Sequence, residues 1–324
     1  MNTQTHEPVL CEETIELVIP LAEALQEGAA EADGAVYLDA TFGRGGHSLA
    51  LLRRLGERGR VIATDRDPEA LAAGRKLAAE EPRLSVHHAR FSELATVLDA
   101  LHVDRVTGVI MDLGVSSPQL DDPERGFSFR AAGPIDMRMD PSAGTPAADW
   151  LNSATAEELA DVLRRYGEER FAGRISRALV QARPFTDTRA LADVIRQAVP
   201  TRPAKGRGGA SKSDAATRSF QAIRIHVNEE LEEIEQGIRA AFARLAPGGR
   251  IAVISFHSLE DRTVKRIFRA LAEGPRLPRN LPVRASEAAP KGRIVGKAVR
   301  PGDAELQRNP RSRSATLRVL ERAA

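Results

Sequence analysis

Short, almost continuously apolar segments alternate with amphipathic segments through the first 115 residues of the chain. The apolar segments predict β-strands, and the segments between them predict helices; the strands are 35–40, 60–65, 84–88 and 106–113, and the helices are 49–55, 68–79 and 92–101. Strands that are apolar at nearly every position are typical of a parallel sheet buried on both faces. We therefore expect an α/β fold with a doubly wound, mostly parallel sheet and helices on both faces.

The alternation stops after residue 113, and the next strand is predicted only at 250–256. An apolar helical stripe leads into that strand from Asn228. The intervening chain predicts helices and no strand, at 156–166, 168–182 and 188–199. We therefore expect a sheet domain, formed by 1–123 and 214–324, that is interrupted by an all-helical insertion at 124–213.

Two further stretches are rich in residues that break regular structure. Gly, Pro and basic residues dominate 201–213, which predicts an exposed loop. After a helix expected at 259–271, the chain is rich in Pro and Arg, which predicts irregular structure until a last strand at 315–320.

The composition is that of an ordinary globular protein: 42% of the 324 residues are hydrophobic and 28% are charged. No stretch approaches the ~18 consecutive apolar residues of a membrane helix, and the first residues lack a secretory signal. The single cysteine, Cys11, excludes an internal disulfide and a zinc site built from several cysteines. We expect a cytoplasmic protein with no membrane partner.

Positive charge is concentrated towards the C-terminus. Residues 262–313 contain 14 Lys or Arg against 4 Asp or Glu, so this stretch carries +10 while the rest of the chain carries −8. A basic stretch on an otherwise acidic protein favours a polyanionic partner such as a nucleic acid. A solvated tail explains the same charge equally well.

The first predicted strand leads into a glycine-rich turn, DATFGRGGHS at 39–48. Such glycines allow a tight turn and the close approach of a ligand, although they can also serve the turn alone. Asp65 ends the second strand, 20 residues after Gly45, where a carboxylate can accept hydrogen bonds from ribose hydroxyls. A dinucleotide fingerprint has a third small residue where this chain has Ser48, and Asp39 would repel a diphosphate. The pattern therefore favours S-adenosylmethionine over NAD.

The fourth predicted strand ends in DLGVSSPQ at 112–119. Because the carboxyl ends of parallel strands form the ligand crevice, we expect this loop to face the glycine-rich turn. Its oxygen atoms can accept the N–H bonds of an exocyclic amine and direct the nitrogen at a methyl donor. Asp112, Ser116 and Ser117 are therefore the candidate catalytic residues, although an ordinary turn contains the same residue types.

Neither a covalent mechanism nor a metal centre is expected. Cys11 has Glu12 and Glu13 as neighbours, which disfavour the thiolate that a nucleophilic cysteine needs. The chain contains no paired-histidine spacing of the His-Glu-x-x-His kind, so we expect no catalytic metal.

Taken together, these motifs resemble the bacterial small-subunit (16S) ribosomal RNA cytosine-N4 methyltransferase family. The similar stretches run in unbroken order and include DATFGRGGHS at 39–48, DRDPEA at 65–70, DLGVSSPQLDDPERGFSF at 112–129, DMRMD at 136–140, YGEER at 166–170, ATRSFQAIRIHVNEEL at 216–231, PGGRIAVISFHSLEDR at 247–262 and NPRSRSATLR at 309–318. One departure is Asp214-Ala215, where the family more usually has His-Pro. It puts only local contacts in doubt.

The resemblance implies a class I methyltransferase fold, Rossmann-like and with a helical insertion. It also implies methyl transfer from S-adenosylmethionine to N4 of one cytidine in the decoding region of 16S rRNA. The cofactor-binding residues that it implies are Gly45, Gly46, His47, Asp65, Phe91, Asp112 and Gln119. Asp65 would take the ribose and Phe91 would pack near the adenine.

The implied partner is folded 16S rRNA within the assembled or assembling 30S subunit, bound in part by the insertion and the basic stretch. A monomer and a homodimer both stay open. His257 follows the strand at 250–256 and is a further candidate on the substrate side. Two rival functions share some of these features: an NAD-dependent oxidoreductase, and an inert RNA-binding assembly factor on the same fold.

Overall fold

The computed structural model describes residues 8–19, 34–200, 214–274 and 290–323. The chain forms two compact units, one made of Met1–Gly114 with Leu231–Ala324 and the other of Val115–Glu230. The predicted loop at 201–213 and the middle of the basic stretch, 275–289, lie outside the described residues. No helix of the described ranges has the length and apolarity needed to cross a membrane.

The first unit is built on a seven-stranded sheet with the strand order β3-β2-β1-β4-β5-β7-β6. The strands are β1 (Val36–Asp39), β2 (Arg60–Asp65), β3 (Leu84–His88), β4 (Val106–Asp112), β5 (Leu245–Ser255), β6 (Gly292–Val299) and β7 (Thr316–Arg322). β1 to β5 are parallel, and β7 runs antiparallel to both of its neighbours. The prediction of a doubly wound, mostly parallel sheet is therefore confirmed.

Helices cover both faces of this sheet because successive strand residues point to opposite sides. The helices of the first unit are α1 (Cys11–Val18), α2 (Gly46–Arg54), α3 (Pro68–Glu80), α4 (Leu94–Ala100), α11 (Glu230–Arg244), α12 (Ser258–Glu273) and α13 (Asp303–Arg308). Leu38 packs into a core with α4, α11 and α12, whereas Tyr37 packs into a second core with α1 and α2. Both faces are buried, which explains the continuous apolar runs of the sequence.

β6 contradicts the expected irregular structure between the helix at 259–271 and the last strand. It pairs only with β7 and forms an edge of the sheet, and most of its residues are exposed. Arg293 and Lys297 lie on it, in keeping with the charged residues that protect edge strands from aggregation. An edge strand with little buried surface has no apolar pattern by which the sequence could reveal it.

The second unit contains helices and short 3-10 turns but no strand among its described residues. Its helices are α5 (Ser117–Asp121), α6 (Ala147–Ser153), α7 (Ala156–Gly167), α8 (Ala172–Gln181), α9 (Thr188–Ala198) and α10 (Ala215–Asn228). The three predicted helices correspond to α7, α8 and α9. The second of these begins later than expected because Glu168 has a positive φ of 49° and ends α7.

The helical unit is wider than the expected insertion at 124–213, since it spans Val115–Glu230. α10 had been expected in the sheet domain. Its Asn228 is buried, and the side-chain amide accepts a hydrogen bond from Met139 N (2.8 Å) and donates one to Met137 O (2.7 Å). Phe220 also meets the ring of Phe129 at 4.7 Å between centroids. These contacts make α10 part of the helical unit, and they are tertiary contacts that a local pattern does not encode.

Asn228→Ala should lower the free energy of unfolding by about 2–3 kcal/mol, because it leaves buried backbone groups without partners. Thr217→Ala is the matched control, since Thr217 is exposed on the same helix, and its effect should stay within about 0.5 kcal/mol. Urea denaturation followed by circular dichroism measures both variants. Equal stabilities of the two would contradict the assignment of α10 to the helical unit.

Candidate active site

The glycine-rich turn joins β1 to α2, and its shape requires glycine. Gly45 precedes the first residue of α2 with a φ of 80°, and a β-carbon there would lie 2.9 Å from the Phe42 ring. A β-carbon on Gly46 would lie 2.7 Å from the side chain of Pro8. The turn therefore packs tightly against its own protein neighbours as well as offering its backbone to a ligand.

Asp39 lies under this turn and is completely buried. Its carboxylate accepts hydrogen bonds from Ser48 Oγ (2.6 Å) and from Thr41 N (3.1 Å). Ser48, the residue that departs from the dinucleotide fingerprint, thus has a structural reason to be a serine. Asp39 supplies fixed negative charge beneath the ligand edge of the sheet.

Asp65 ends the neighbouring strand β2 and closes the turn from the other side. Its Oδ2 accepts a hydrogen bond from Gly43 N (2.8 Å), and its Oδ1 accepts one from Asp67 N (2.9 Å). Burial raises the pKa of Asp65 to about 6, although these two hydrogen bonds oppose the rise. An ionised carboxylate has about four acceptor positions, so two stay available for the hydroxyls of a ribose.

Asp112 ends β4, which is the neighbour of β1 on the other side. Its backbone N–H donates to Thr41 Oγ1 (2.7 Å), so the loop after β4 is tied to the glycine-rich turn. Oδ1 of Asp112 is buried and has no hydrogen-bond partner within the described ranges 8–19, 34–200, 214–274 and 290–323. Burial, followed by the charges of Asp39 and Glu260, raises the pKa of Asp112 well above its usual value.

His47 connects the turn to the N-terminal segment. Its Nε2 lies 3.2 Å from Val9 O, and a carbonyl oxygen can only accept, so Nε2 carries the proton. Burial lowers the pKa of His47, which keeps the ring neutral at pH 7. Its unprotonated Nδ1 then faces Asp112 Oδ2 at 3.9 Å. When Asp112 is ionised, both atoms can accept hydrogen bonds, so a cationic ligand group with N–H donors suits the space beside them.

Phe91 follows β3 and is half-buried against the core on the α11 side of the sheet. Its backbone is held in place because Ser92 donates from N and from Oγ to Glu233 of α11, at 3.0 Å each. A β-carbon on Gly237 would lie 2.5 Å from Phe91 Cβ, so α11 approaches this residue closely. Phe91 is therefore a fixed apolar surface at the end of β3.

Sequence reasoning missed Glu260, although it named His257. Glu260 is fully buried in the first turn of α12, where Oε2 accepts from Phe256 N (2.7 Å) and from His257 N (3.1 Å). His257 is the N-cap residue of α12, and Glu260 N lies 3.4 Å from its Nδ1. The sequence spacing of a capping box is present, but with His in place of the usual Ser or Thr. That substitution is the signal that could have identified Glu260.

The loop after β4 continues into the second unit, where Ser116, Ser117 and Gln119 lie. Ser116 precedes α5 and donates from its backbone N to Gln119 Oε1 (2.9 Å), while Gln119 N lies 3.5 Å from Ser116 Oγ. Gln119 is buried, and this reciprocal cap shapes the start of α5. The acceptor-side roles of the two serines and the cofactor role of Gln119 stay predictions.

Six of the seven predicted cofactor-binding residues belong to the first unit and lie at or just after the carboxyl ends of β1 to β4: Gly45, Gly46, His47, Asp65, Phe91 and Asp112. In the described chain no Lys or Arg pairs with Asp39, Asp65 or Asp112. Three carboxylates without a fixed counter-charge favour a ligand that is cationic and rich in hydrogen-bond donors. This arrangement does not suit a diphosphate.

Comparisons with known proteins identify the family of this chain. A family model described as the MraW methylase family matches residues 3–323. The small-subunit ribosomal RNA methyltransferase H of Thioalkalivibrio sulfidiphilus is 54% identical, covering 94% of this chain and 96% of its own. The enzyme of the same name from Azoarcus sp. is 53% identical and covers 93% and 95%. An rRNA methylase structure from Streptococcus thermophilus is 11% identical, with a TM-score of 0.39 and coverage of 97% and 93%.

These matches extend over nearly the whole chain, so they include the glycine-rich turn, the β4 loop and the helical unit together. The family and the enzyme class that the sequence motifs indicated are thereby confirmed. The chain belongs to the MraW methylase family.

Proposed function

We propose that this protein transfers a methyl group from S-adenosylmethionine to the exocyclic N4 amine of a cytidine in small-subunit ribosomal RNA. The observation that carries the proposal is the set of uncompensated carboxylates, Asp39, Asp65 and Asp112, at the ligand edge of the sheet. Relatives named as small-subunit rRNA methyltransferases supply the substrate class. The N4 position follows from the motifs that resemble the cytosine-N4 family.

The donor set of the site fits S-adenosylmethionine. Asp65 has acceptor capacity for the ribose hydroxyls, and Phe91 offers a fixed apolar surface to the adenine. The buried Asp112 Oδ1 and the lone pair of His47 Nδ1 suit the ammonium group of the amino-acid end. When it is bound, S-adenosylmethionine supplies an electrophilic methyl group on a positively charged sulfur.

Asp112, Ser116 and Ser117 are the groups that would hold the acceptor. Their oxygen atoms can accept the N–H bonds of the cytosine amine, which turns the nitrogen lone pair out of conjugation with the ring. Positioning of this kind supplies much of the rate, because a nitrogen nucleophile held in line needs no covalent help from the protein. The target base must be unstacked or single-stranded to reach these groups.

Transfer to rRNA is tested by incubating the protein with methyl-labelled S-adenosylmethionine and small subunits from cells that lack this activity. Label should appear in N4-methylcytidine, and Asp65→Asn should reduce the rate at least tenfold, because the neutral amide loses ionic hydrogen bonds. Asp99→Asn is the matched control, since Asp99 is 62% exposed and pairs with Arg244. Label in another nucleoside, or none with S-adenosylmethionine still bound, would refute the assignment.

Cofactor binding should depend on pH through Asp65, whose pKa in the free protein is about 6. Below that pH the carboxyl is protonated and accepts ribose hydroxyls poorly, so the affinity should be about tenfold lower at pH 5 than at pH 7. Isothermal titration calorimetry with S-adenosylhomocysteine measures this dependence. Asp65→Asn should bind weakly at both pH values, and a full pH response in that variant would count against Asp65 as the titrating group.

Ser117→Ala should lower kcat for methyl transfer by about tenfold or more, the effect of losing one hydrogen bond to the reacting amine. The Kd for S-adenosylmethionine should stay within about twofold. Ser153→Ala is the control, because Ser153 is exposed and its hydroxyl donates to Asp149 O (2.7 Å) of its own helix. An unchanged kcat in Ser117→Ala would remove Ser117 from the acceptor site.

A further inference from the structure

The exposed side of α8 presents arginines at helical spacing. Arg174 and Arg177 are three residues apart and project from one side of the helix, and Arg170 lies in the turn that precedes it. Ile175 and Leu179 lie on the other side and are fully buried. The three arginines are all exposed. They form a charged stripe that the packing of the helical unit does not use.

Arg164 of α7 extends this stripe onto the neighbouring helix. A β-carbon on Gly173 would lie 3.8 Å from Arg164 Nη2 and 3.8 Å from Arg177 Nη1. Two guanidinium groups, one from each helix, therefore lie close to Gly173. We call the four residues Arg164, Arg170, Arg174 and Arg177 the arginine patch.

No carboxylate among the described residues neutralises the charges of the arginine patch. None of its four guanidinium groups has a carboxylate oxygen within 4.0 Å in the described parts of the chain. The adjacent Arg165 behaves differently, because it pairs with Asp161 at 3.5 Å and lies over the Tyr166 ring. From residue 170 to residue 186 the chain contains four arginines and no Asp or Glu.

This arrangement works against the stability of α8. The N-terminal end of a helix carries partial positive charge and is stabilised by acidic side chains. Glu169 Oε1 accepts a hydrogen bond from Phe171 N (3.0 Å) just before α8, but the first turn itself contains no acidic side chain and has Arg174. The like charges of the arginine patch also repel each other. A partner with negative charge would reduce both the unfavourable interaction with the helix end and the repulsion among the arginines.

The same surface carries apolar area. Phe171 is 39% exposed and Val180 is 36% exposed, which makes them two of the three large hydrophobic residues that are exposed in the described chain. Phe171 immediately follows Arg170. Exposed aromatic residues and arginines in one segment of chain are common in surfaces that bind nucleic acid, where bases or sugars contact the ring and phosphates contact arginine.

We propose that the arginine patch binds the phosphate backbone of small-subunit rRNA. The inference rests on the proposed function, which makes that RNA the substrate. A guanidinium group can donate two parallel hydrogen bonds to one phosphate, and such contacts position an RNA without reading its sequence. The patch therefore contributes affinity and register for the substrate, whereas the chemistry takes place at the carboxyl ends of the strands.

The test compares Arg174→Ala/Arg177→Ala and Arg164→Ala with the matched control Arg165→Ala. Filter binding to protein-free 16S rRNA, repeated over a range of salt concentrations, measures the affinity and its salt slope. The double variant should bind about tenfold more weakly, and the magnitude of its slope should fall by about 1.4–1.8, the value for two lost phosphate contacts. Arg165→Ala should match the wild type.

Further measurements separate RNA binding from folding and from the proposed function. The double variant should show a raised KM for 30S subunits, with kcat and the Kd for S-adenosylmethionine unchanged. Arg174→Lys/Arg177→Lys keeps the charge and should recover most of the salt slope. A failure of the wild type to methylate small-subunit RNA would refute the proposed function alone, because binding to protein-free RNA is measured without turnover.

Two outcomes would overturn the arginine patch as an RNA-binding surface. One is an unchanged salt slope in the double variant. The other is weaker binding to 30S subunits with unchanged binding to protein-free rRNA, which would identify an acidic ribosomal protein as the partner.

Discussion

The accumulation of carboxylates at the ends of β1, β2 and β4 is the constraint on which the catalytic unit depends. Asp39 is fully buried, and burial raises the pKa values of Asp65 and Asp112, so the folded protein bears an electrostatic cost there. Hydrogen bonds from Ser48 and from the backbone of the glycine-rich turn offset part of that cost. A cationic ligand offsets more of that cost. The carboxylates that destabilise the protein therefore also select which ligand binds.

This electrostatic arrangement also explains why a sheet of Rossmann type need not take a dinucleotide. A pyrophosphate normally binds at the helix N-terminus after the glycine-rich turn, where backbone N–H groups point at it. Here Asp39 and Asp112 place negative charge beside that helix end, and neutral His47 adds a lone pair. The turn retains the geometry of a nucleotide-binding loop while its charge excludes a diphosphate.

The parallel strands and the carboxylates at their ends could be predicted, because both produce a local pattern in the sequence. Residues buried on both faces form apolar runs, and Asp65 and Asp112 each end such a run. β6 could not be predicted from the sequence, because an edge strand with exposed side chains needs no apolar pattern. α10 was placed in the wrong unit because Asn228 and Phe220 act through contacts with residues about ninety positions away. Glu260 was missed because its spacing from residue 257 is that of an ordinary helix cap, and only the His in place of the usual Ser or Thr is unusual.

The proposed ligand sites of the two units carry opposite charges: carboxylates in the first unit and arginines in the second. This difference follows from the chemistry of the two ligands. A methyl donor is cationic at the reacting sulfur, so a site rich in carboxylates stabilises it, but the same site would repel the phosphates of an RNA. Arginines that pair with no carboxylate of the described chain lie on the helical unit, so one chain can attract both ligands. Salt screens exposed charges more than buried ones, so the affinity for RNA should respond to ionic strength far more than the affinity for the methyl donor. Both groups of charges attract a ligand of the opposite sign. The carboxylates do so in a buried site of low dielectric, and the arginine patch does so at the solvent-exposed surface, where the dielectric is high.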